Sequence, residues 1–269
     1  MSGFYTKLAK YKYAYLSVLT FVFVLILWEI VARTGILGIP KFVLPAPSQV
    51  IVEFQTSRIP WLEHMYVTFY EIVLGFIFGV LIGSSLAILI SMSRLLRNIV
   101  YPYMLLSQLI PKIAIAPIFM LWLGYGVLPK LVIAFLITFF PMFINTLDGL
   151  ESIEPEILEV VHSLRASRWQ IYTKIRLPNS LPFVFSGMKI GATVAVVGAL
   201  VAEYLASDSG LGFLINFATY YARTKTAFSA VGLLTIIGVA FYLFVLGMER
   251  VMLPWYTIPR QQAKKEAGT

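Results

Sequence analysis

The residues that could carry out chemistry in this chain are few and lie far apart. Its 269 residues include no cysteine and two histidines, His64 and His162. The lack of cysteine excludes disulfides, thiolate metal sites and cysteine nucleophiles, and two distant histidines leave little material for a zinc or haem centre. No segment matches G-x4-G-K-[ST] or H-E-x-x-H. The sequence therefore predicts no nucleotide-binding P-loop and no zinc-protease site.

Polar side chains within long apolar stretches are the other candidates for chemistry. They are Ser107, Gln108, Lys112, Asn145 and Glu203. Such groups could line a path for a solute, and they could equally form hydrogen bonds between helices. Lys112 lies between Pro111 and Pro117, which free backbone carbonyl groups. Its ammonium would either attract an anionic solute or pair with a carboxylate.

The composition places these residues in a membrane protein. Hydrophobic residues make up 59% of the chain, charged residues 13%, and the mean hydropathy is +0.84. Soluble domains are nearer one half apolar and one quarter charged, and a soluble fold of this size could not bury the excess. The apolar stretches are continuous rather than alternating, which favours helices over strands.

Six apolar segments are long enough to cross a bilayer as helices, since a crossing takes about 20 residues. They cover residues 13–32, 65–92, 99–123, 131–147, 181–204 and 227–248. Three lysines precede the first segment as in a signal peptide, but the run is too long and no cleavage site follows, so it is interpreted as a span. The predicted fold class is an all-α integral membrane protein with about six transmembrane helices.

The distribution of basic residues predicts the orientation. With the N-terminus inside, thirteen of the 21 lysines and arginines fall in cytoplasmic segments and six in outer segments, which favours both termini in the cytoplasm. The net charge of +8 thus reports orientation and attraction to anionic lipid, and nucleic-acid binding is not needed to explain it. Lys189 is expected to extend to the cytoplasmic surface. Glu203, near the outer end of the fifth span, would be part of an outer gate or simply interfacial.

The longest polar interruption, which we call the polar loop, covers residues 150–182 and is predicted to be cytoplasmic. Its apolar residues recur at helical spacing, which predicts two short amphipathic helices that break near residues 165–167 and end at Pro178. The loop could lie on the headgroups as a connector. It could instead dock a cytoplasmic partner, with Leu164, Trp169 and Tyr172 as anchors.

Several motifs in the polar loop and elsewhere resemble one family. Glu159, Ile175, Leu177 and Pro178 match the spacing E-A-A-x3-G-x9-I-x-L-P, and residues 163–170 read S-L-R-A-S-R-W-Q. Further matches are Trp28-Glu29, L-P-A-P-S at 44–48, I-P-K-I-A at 110–114, F-F-P at 139–141 with N-T at 145–146, Ala202-Glu203 and S-G-L-G at 209–212. Their order resembles the permease subunits of binding-protein-dependent ABC importers, in the branch for nitrate, sulfonates and taurine.

The resemblance implies one transmembrane permease domain over residues 1–269. It would comprise an N-terminal helix (13–32), an outer segment (33–64), core helices (65–256) that include the polar loop, and a basic tail (257–269). The residues implied to contact the ATPase are Glu159, Ser163, Leu164, Arg165, Ala166, Ser167, Trp169, Tyr172, Ile175, Leu177 and Pro178. Ser209, Gly210 and Gly212 would form an outer turn, the glycine turn (209–212), which could contact a binding protein or be purely structural.

The implied partners are a second permease copy or a close paralogue, two ATPase subunits, an extracytoplasmic binding protein and the lipid of a bacterial inner membrane. ATP and Mg²⁺ would bind the ATPase, with no cofactor in this chain. Arg165 stands where the family has glycine, and Val160 and Val161 replace two alanines. We expect a relaxed turn at Arg165, with its side chain directed at the ATPase.

Two other function classes, a membrane-embedded enzyme and a secondary transporter, fit the sequence less well than an importer. A membrane-embedded enzyme would need acid–base groups clustered at one depth, but Glu29, Glu71, Lys112, Asp148 and Glu203 are scattered. A secondary transporter driven by an ion gradient predicts two similar halves, and no internal repeat is evident. The solute is expected to be a small organic or inorganic anion, such as a sulfonate, nitrate or aromatic acid, or a heterocyclic vitamin precursor.

Overall fold

The structure is a computed structural model that describes the backbone of residues 2–36, 38, 40 and 42–256. Side chains are described from Tyr15 onward, apart from that of Ala206. The basic tail predicted at 257–269 and Lys41 lie outside the described residues, as do the side chains of Lys7, Lys10 and Lys12.

All regular structure among the described residues is helical, as the sequence predicts. The α-helices are α1 (Ser2–Thr34), α2 (Pro47–Thr56), α3 (Trp61–Ser91), α4 (Arg94–Gln108), α5 (Lys112–Leu123), α6 (Val127–Glu151), α7 (Pro155–Ser163), α8 (Arg168–Ile171), α9 (Leu177–Ala206), α10 (Leu211–Tyr220) and α11 (Thr224–Met252), and a π-helical turn covers Tyr172–Arg176.

Six candidate membrane spans are present if a bent pair counts as one. Five helical segments of the described chain are long and apolar enough to cross a bilayer, and α4 and α5 together form a sixth with a bend of 93°. The third predicted span is thus two helices rather than one. Pro111 begins α5 as its N-terminal cap, and a proline there cannot continue the backbone hydrogen bonds of α4.

The fifth span begins earlier than the sequence predicts. Helix α8, the π-helical turn and α9 form one helical segment from Arg168 to Leu205, so Pro178 does not end the loop helix. Pro178 is the second residue of α9 and follows the π-helical turn directly, so this proline lies inside the helical segment instead of ending it. The fifth span and the second loop helix are therefore one continuous element.

The chain divides into two compact units. In the larger one, which comprises Leu62–Phe213 and the chain from Leu233, α6 packs between α3 and α9. Gly79 of α3 and Gly191 of α9 both lie against Thr138, and Gly198 lies against Ala134. The small-x3-small spacing of Gly75, Gly79 and Gly83 predicts close helix contact; this contact is confirmed, with α6 as the neighbour.

The smaller unit contains the chain up to Trp61 and Leu214–Gly232. Within it, the Glu29 carboxylate accepts hydrogen bonds from the Ser48 amide (3.0 Å) and the Ser48 hydroxyl (2.7 Å), and it pairs with Arg33. A carboxylate at the start of α2 is favourable because it satisfies unpaired amides there. The Trp28-Glu29 and L-P-A-P-S motifs are thus held together.

Candidate functional site

The first helix of the polar loop ends in a turn that contains Arg165. The Arg165 N–H donates to the His162 carbonyl (2.9 Å) and the Ala166 N–H to the Val161 carbonyl (3.3 Å), which is the Schellman pattern of helix termination. Arg165 occupies its left-handed position with φ of 55°. The prediction of a relaxed turn is therefore wrong, because Arg165 adopts the conformation for which glycine is favoured.

The second loop helix begins with a capping box. The Ser167 hydroxyl accepts from the Gln170 amide (3.2 Å), and the Ser167 amide donates to the Gln170 side chain (2.8 Å). Two large apolar side chains flank this start, Leu164 with 75% and Trp169 with 65% of their surface exposed. The loop therefore presents a fixed apolar surface.

Tyr172 connects this exposed surface to the membrane helices. Its ring stacks on that of Trp169, with centroids 6.5 Å apart, and its hydroxyl lies 3.0 Å from the Ser91 hydroxyl and donates to the Ile88 carbonyl (3.3 Å). Tyr172 is buried, so it is not one of the exposed anchors expected from the sequence. It ties the polar loop to the end of α3.

The same end of the larger unit carries further ties between helices. Arg97 of α4 pairs with Glu151 of α6 at 2.6 Å. The Asn179 amide of α9 donates to the Gly149 carbonyl (3.2 Å) and the Ser152 hydroxyl (2.9 Å). The base of the polar loop, which we define as Tyr172 and Asn179, is therefore bonded to α3 and α6.

The remaining predicted contact residues of the polar loop differ in exposure. Glu159, Ser163 and Pro178 are exposed, whereas Ala166, Ile175 and Leu177 are partly buried. The Ser163 hydroxyl donates to the Val160 carbonyl within α7. The predicted contact residues are thus divided between exposed positions and partly buried ones.

The glycine turn is bonded at three successive amides to side chains from two helices. The Gly210 amide donates to His64 Nδ1 (3.0 Å), the Leu211 amide to the Thr68 hydroxyl (2.8 Å) and the Gly212 amide to Glu203 Oε2 (2.7 Å). These amides open α10 and have no partner within it. Gly210 has φ of 102°, and a Cβ at Gly212 would lie 2.6 Å from the Leu200 carbonyl oxygen, so both positions require glycine.

Glu203 and Lys130 belong to a buried polar cluster beside the glycine turn. The Thr68 hydroxyl donates to Glu203 Oε1 (2.7 Å), and Lys130 Nζ lies 2.6 Å from Glu71 Oε1 and donates to the Ser207 hydroxyl (2.9 Å). Both side chains of the Glu71–Lys130 pair are buried. Glu203 is thus enclosed by protein rather than exposed at the end of its helix.

The sequence did not single out the Glu71–Lys130 pair as a site. Lys130 was predicted to lie in an outer segment, but it is a residue of α6. Glu71, in contrast, stands alone between the apolar residues of α3. An isolated carboxylate in a membrane span requires a partner, and that signal could have directed a search for the matching cation.

The other path candidates bond to backbone carbonyls. Ser107 donates to the Tyr103 carbonyl (2.7 Å) and Asn145 to the Pro141 carbonyl (2.8 Å). Lys112 donates to the carbonyls of Ser107 (3.4 Å) and Gln108 (3.0 Å), and its ammonium lies 4.3 Å from the Phe140 ring centroid. Lys112 therefore satisfies the end of α4 at the bend, in place of the carboxylate considered for it.

Lys189 also differs from its prediction. Its ammonium donates to both oxygens of Glu249 at 2.8 Å, so it pairs between α9 and α11 rather than extending to the surface. A paired charge avoids the cost of an isolated one inside a membrane segment. Gln108 is exposed at the end of α4. Of the five path candidates, Ser107, Gln108 and Lys112 thus come together at the bend, whereas Glu203 belongs to the cluster beside the glycine turn.

The fold and these sites define a multi-pass helical membrane protein whose polar groups hold helices and turns in place. No group of three or more metal-binding side chains is found among the described residues. The model of the family described as "Binding-protein-dependent transport system inner membrane component" matches residues 75–257. The chain belongs to this family, and it is the permease subunit of an ABC importer rather than an enzyme.

Individual relatives agree with this assignment. The chain is 32% identical over 238 residues to a formylaminopyrimidine transport permease of Halalkalibacterium halodurans, covering 88% of this chain and 94% of the relative. It is 33% identical over 239 residues to a riboflavin transport permease of Chloroflexus aurantiacus (88% of each chain), and 28% identical over 249 residues to a taurine transport permease of Escherichia coli (90% of each). The family resemblance inferred from the motifs is confirmed.

Proposed function

We propose that the chain forms the solute path of the importer together with a second copy or a close paralogue. Two ATPase subunits would bind ATP and Mg²⁺, leaving this chain without a cofactor. The observation that carries the proposal is the exposed pair Leu164 and Trp169 on a base bonded to the membrane helices. A surface of this kind suits a motor subunit, because tryptophan is enriched among the few residues that supply most of the binding energy of an interface.

The contacts of Tyr172 suggest how motion would pass into the membrane. Movement of the ATPase against Trp169 would displace Tyr172, and the bonds of Tyr172 to Ser91 and Ile88 would carry the displacement to α3. Helix α3 packs tightly on α6 through its glycines, so both would move as a block. ATP binding would then shift an equilibrium between inward-open and outward-open arrangements. The size of the shift is set by the difference in the ATP-bound ATPase's affinity for the two arrangements.

We further propose that both termini and the polar loop lie in the cytoplasm of a bacterium. With six crossings, the segments 35–60, 124–126 and 207–223 lie on the outer side. The excess of lysine and arginine in the inner segments supports this orientation.

For the solute, we propose a small heterocycle of the vitamin-precursor kind, with a sulfonate-type anion as the second candidate. The relatives named for formylaminopyrimidine and riboflavin are 32% and 33% identical, whereas those named for aliphatic sulfonates and taurine are 27% and 28% identical. The ammonium of Lys112 is engaged with backbone carbonyl groups, which weakens the part of the case for an anion that depends on this residue. The ranking of these two solute classes can be tested in cells that express the complete importer, by comparing their uptake of labelled riboflavin, a formylaminopyrimidine and taurine.

The orientation can be tested by thiol labelling, since the natural chain has no cysteine. A membrane-impermeant maleimide should leave Leu164→Cys unmodified in intact cells and modify it after permeabilisation. Tyr125→Cys, whose parent side chain is 86% exposed in the segment between α5 and α6, should be modified in intact cells. Labelling of Leu164→Cys from outside would overturn the orientation and with it the proposed ATPase contact.

The contact with the ATPase can be tested by a matched pair of neighbouring substitutions. Leu164→Asp places a charge at the exposed apolar anchor and should weaken co-purification of the ATPase by about tenfold, equivalent to about 1.4 kcal/mol. Arg165→Gly keeps the left-handed turn that glycine favours and should retain the ATPase. Equal retention by both variants would contradict the anchor role of Leu164, and loss in Arg165→Gly would assign a specific contact to the arginine.

A further inference from the structure

A groove of about 650 Å³ opens on the surface of the smaller unit. Its walls are the end of α2 with the residues that follow it, and the connection between α10 and α11. In the orientation proposed above, the walls belong to outer segments and to the outer end of α11, where Thr224, Lys225 and Thr226 lie. The groove would therefore open toward the outer side.

The groove is held in shape by hydrogen bonds between its walls. The Thr226 hydroxyl donates to Glu53 (2.7 Å), and the Thr224 hydroxyl donates to the Phe42 carbonyl. Ala222 has φ of 53° and occupies the left-handed position of a second Schellman turn, in which the Arg223 N–H donates to the Ala218 carbonyl (2.7 Å). The connection is thus fixed against α2 before any partner binds.

The charge of the groove is positive. Among the described residues, Arg58, Arg223 and Lys225 line it and are exposed. The one acidic side chain of this described lining, Glu53, is partly buried and accepts the bond from Thr226. Three cations against one engaged carboxylate leave an excess of two positive charges. Outer segments of membrane proteins are otherwise poor in lysine and arginine, so this concentration favours a negatively charged ligand.

We propose that this groove receives an acidic projection of the extracytoplasmic substrate-binding protein. The inference rests on the proposed orientation, and it adds the location and chemistry of the contact. A projecting loop with Asp or Glu side chains would fit a preformed concave surface of this size. Complementary charge would accelerate encounter and fix the register of the complex, and a rigid groove would lose little entropy on binding.

The test uses the complete importer, with its ATPase, in nanodiscs, and its probe is the purified substrate-binding protein of the same importer. The measured quantity is the binding-protein concentration that gives half-maximal stimulation of ATP hydrolysis. Arg58→Glu and Lys225→Glu together should raise this concentration about tenfold. In this variant the half-maximal concentration should also depend less on salt than in the wild type, since salt screens exposed charge pairs. Arg250→Glu reverses an exposed charge of α11 outside the groove and should leave the value unchanged.

The outcomes separate the possible ligands. If the wild-type importer is stimulated and the groove variant has the same half-maximal concentration, the groove inference is overturned while the importer function stands. If no stimulation occurs even with the wild type, the proposed function fails instead. If the effect of the variant disappears in nanodiscs without anionic lipid, the groove binds lipid headgroups and the inference is again overturned.

Discussion

Replacing Lys130 with methionine should lower the stability of the folded chain by about 3 kcal/mol or more. The substitution removes the ammonium that lies 2.6 Å from Glu71 while both side chains are buried, and it leaves the carboxylate without its cation. Breaking a buried ion pair by removing one partner costs about 3–5 kcal/mol, because the other charge stays in a medium of low polarity. Unfolding of the detergent-purified chain, followed by tryptophan fluorescence, measures the loss.

The matching control removes both charges. Lys130→Met combined with Glu71→Met should recover most of the lost stability, since replacing a buried pair with apolar side chains is often close to neutral. Lys174→Met, at an exposed lysine, should change stability by no more than about 0.5 kcal/mol. If the double variant is as unstable as the single one, the pair acts through a specific contact, such as the bond from Lys130 to Ser207, rather than through charge balance.

The number and rough limits of the membrane helices follow from the sequence because they depend on local properties. A run of apolar residues long enough to span hydrocarbon must be helical to satisfy its backbone bonds, whatever surrounds it. The break at Pro111 was visible as an interruption. The bend angle of 93° could not be predicted, because a proline permits a range of bend angles and packing selects one of them.

The partners of buried charges could not be predicted in the same way. Lys189 and Glu249 are 60 residues apart in sequence and pair across two helices. The rotation of each helix about its axis determines which residues meet, and a uniformly apolar helix gives no periodic signal that fixes this rotation. The sequence therefore shows that such a charge needs a partner but not which residue it is.

The turn at Arg165 shows how tertiary packing can override a local preference. The family motif has glycine there, and an arginine in its place suggested a different turn. The observed left-handed conformation costs about 1–2 kcal/mol for such a residue. Two Schellman hydrogen bonds hold the turn. The helix that follows the turn is itself held by the contact of Tyr172 with Ser91. The requirement of the loop for this geometry is thus stronger than the residue's own preference.

The small-x3-small spacing in α3 gave the one packing contact that the sequence predicted well, and it leads to the second large effect. Gly79→Ala should destabilise the chain by about 2–3 kcal/mol. An added Cβ would lie 2.6 Å from Thr138 Cβ and Cγ2 and 3.2 Å from the Phe139 backbone nitrogen. The Cγ2 methyl of Thr138 also lies against Gly191 of α9, which leaves it little room to move away. Overpacking of a close-packed contact typically costs about 1–3 kcal/mol.

Gly247→Ala is the matched control, because Gly247 also lies within a helix but an added Cβ would have no atom within 4 Å. It should leave the stability unchanged or raise it by up to about 1 kcal/mol, since alanine restricts the unfolded chain and favours the helix. The two substitutions change helix propensity equally, so the difference between their stability changes measures the packing contribution at Gly79. If Gly79→Ala instead matched Gly247→Ala in a thermal unfolding series, α3 and α6 would be separable by the width of a methyl group. The two helices could then not transmit displacement as a block.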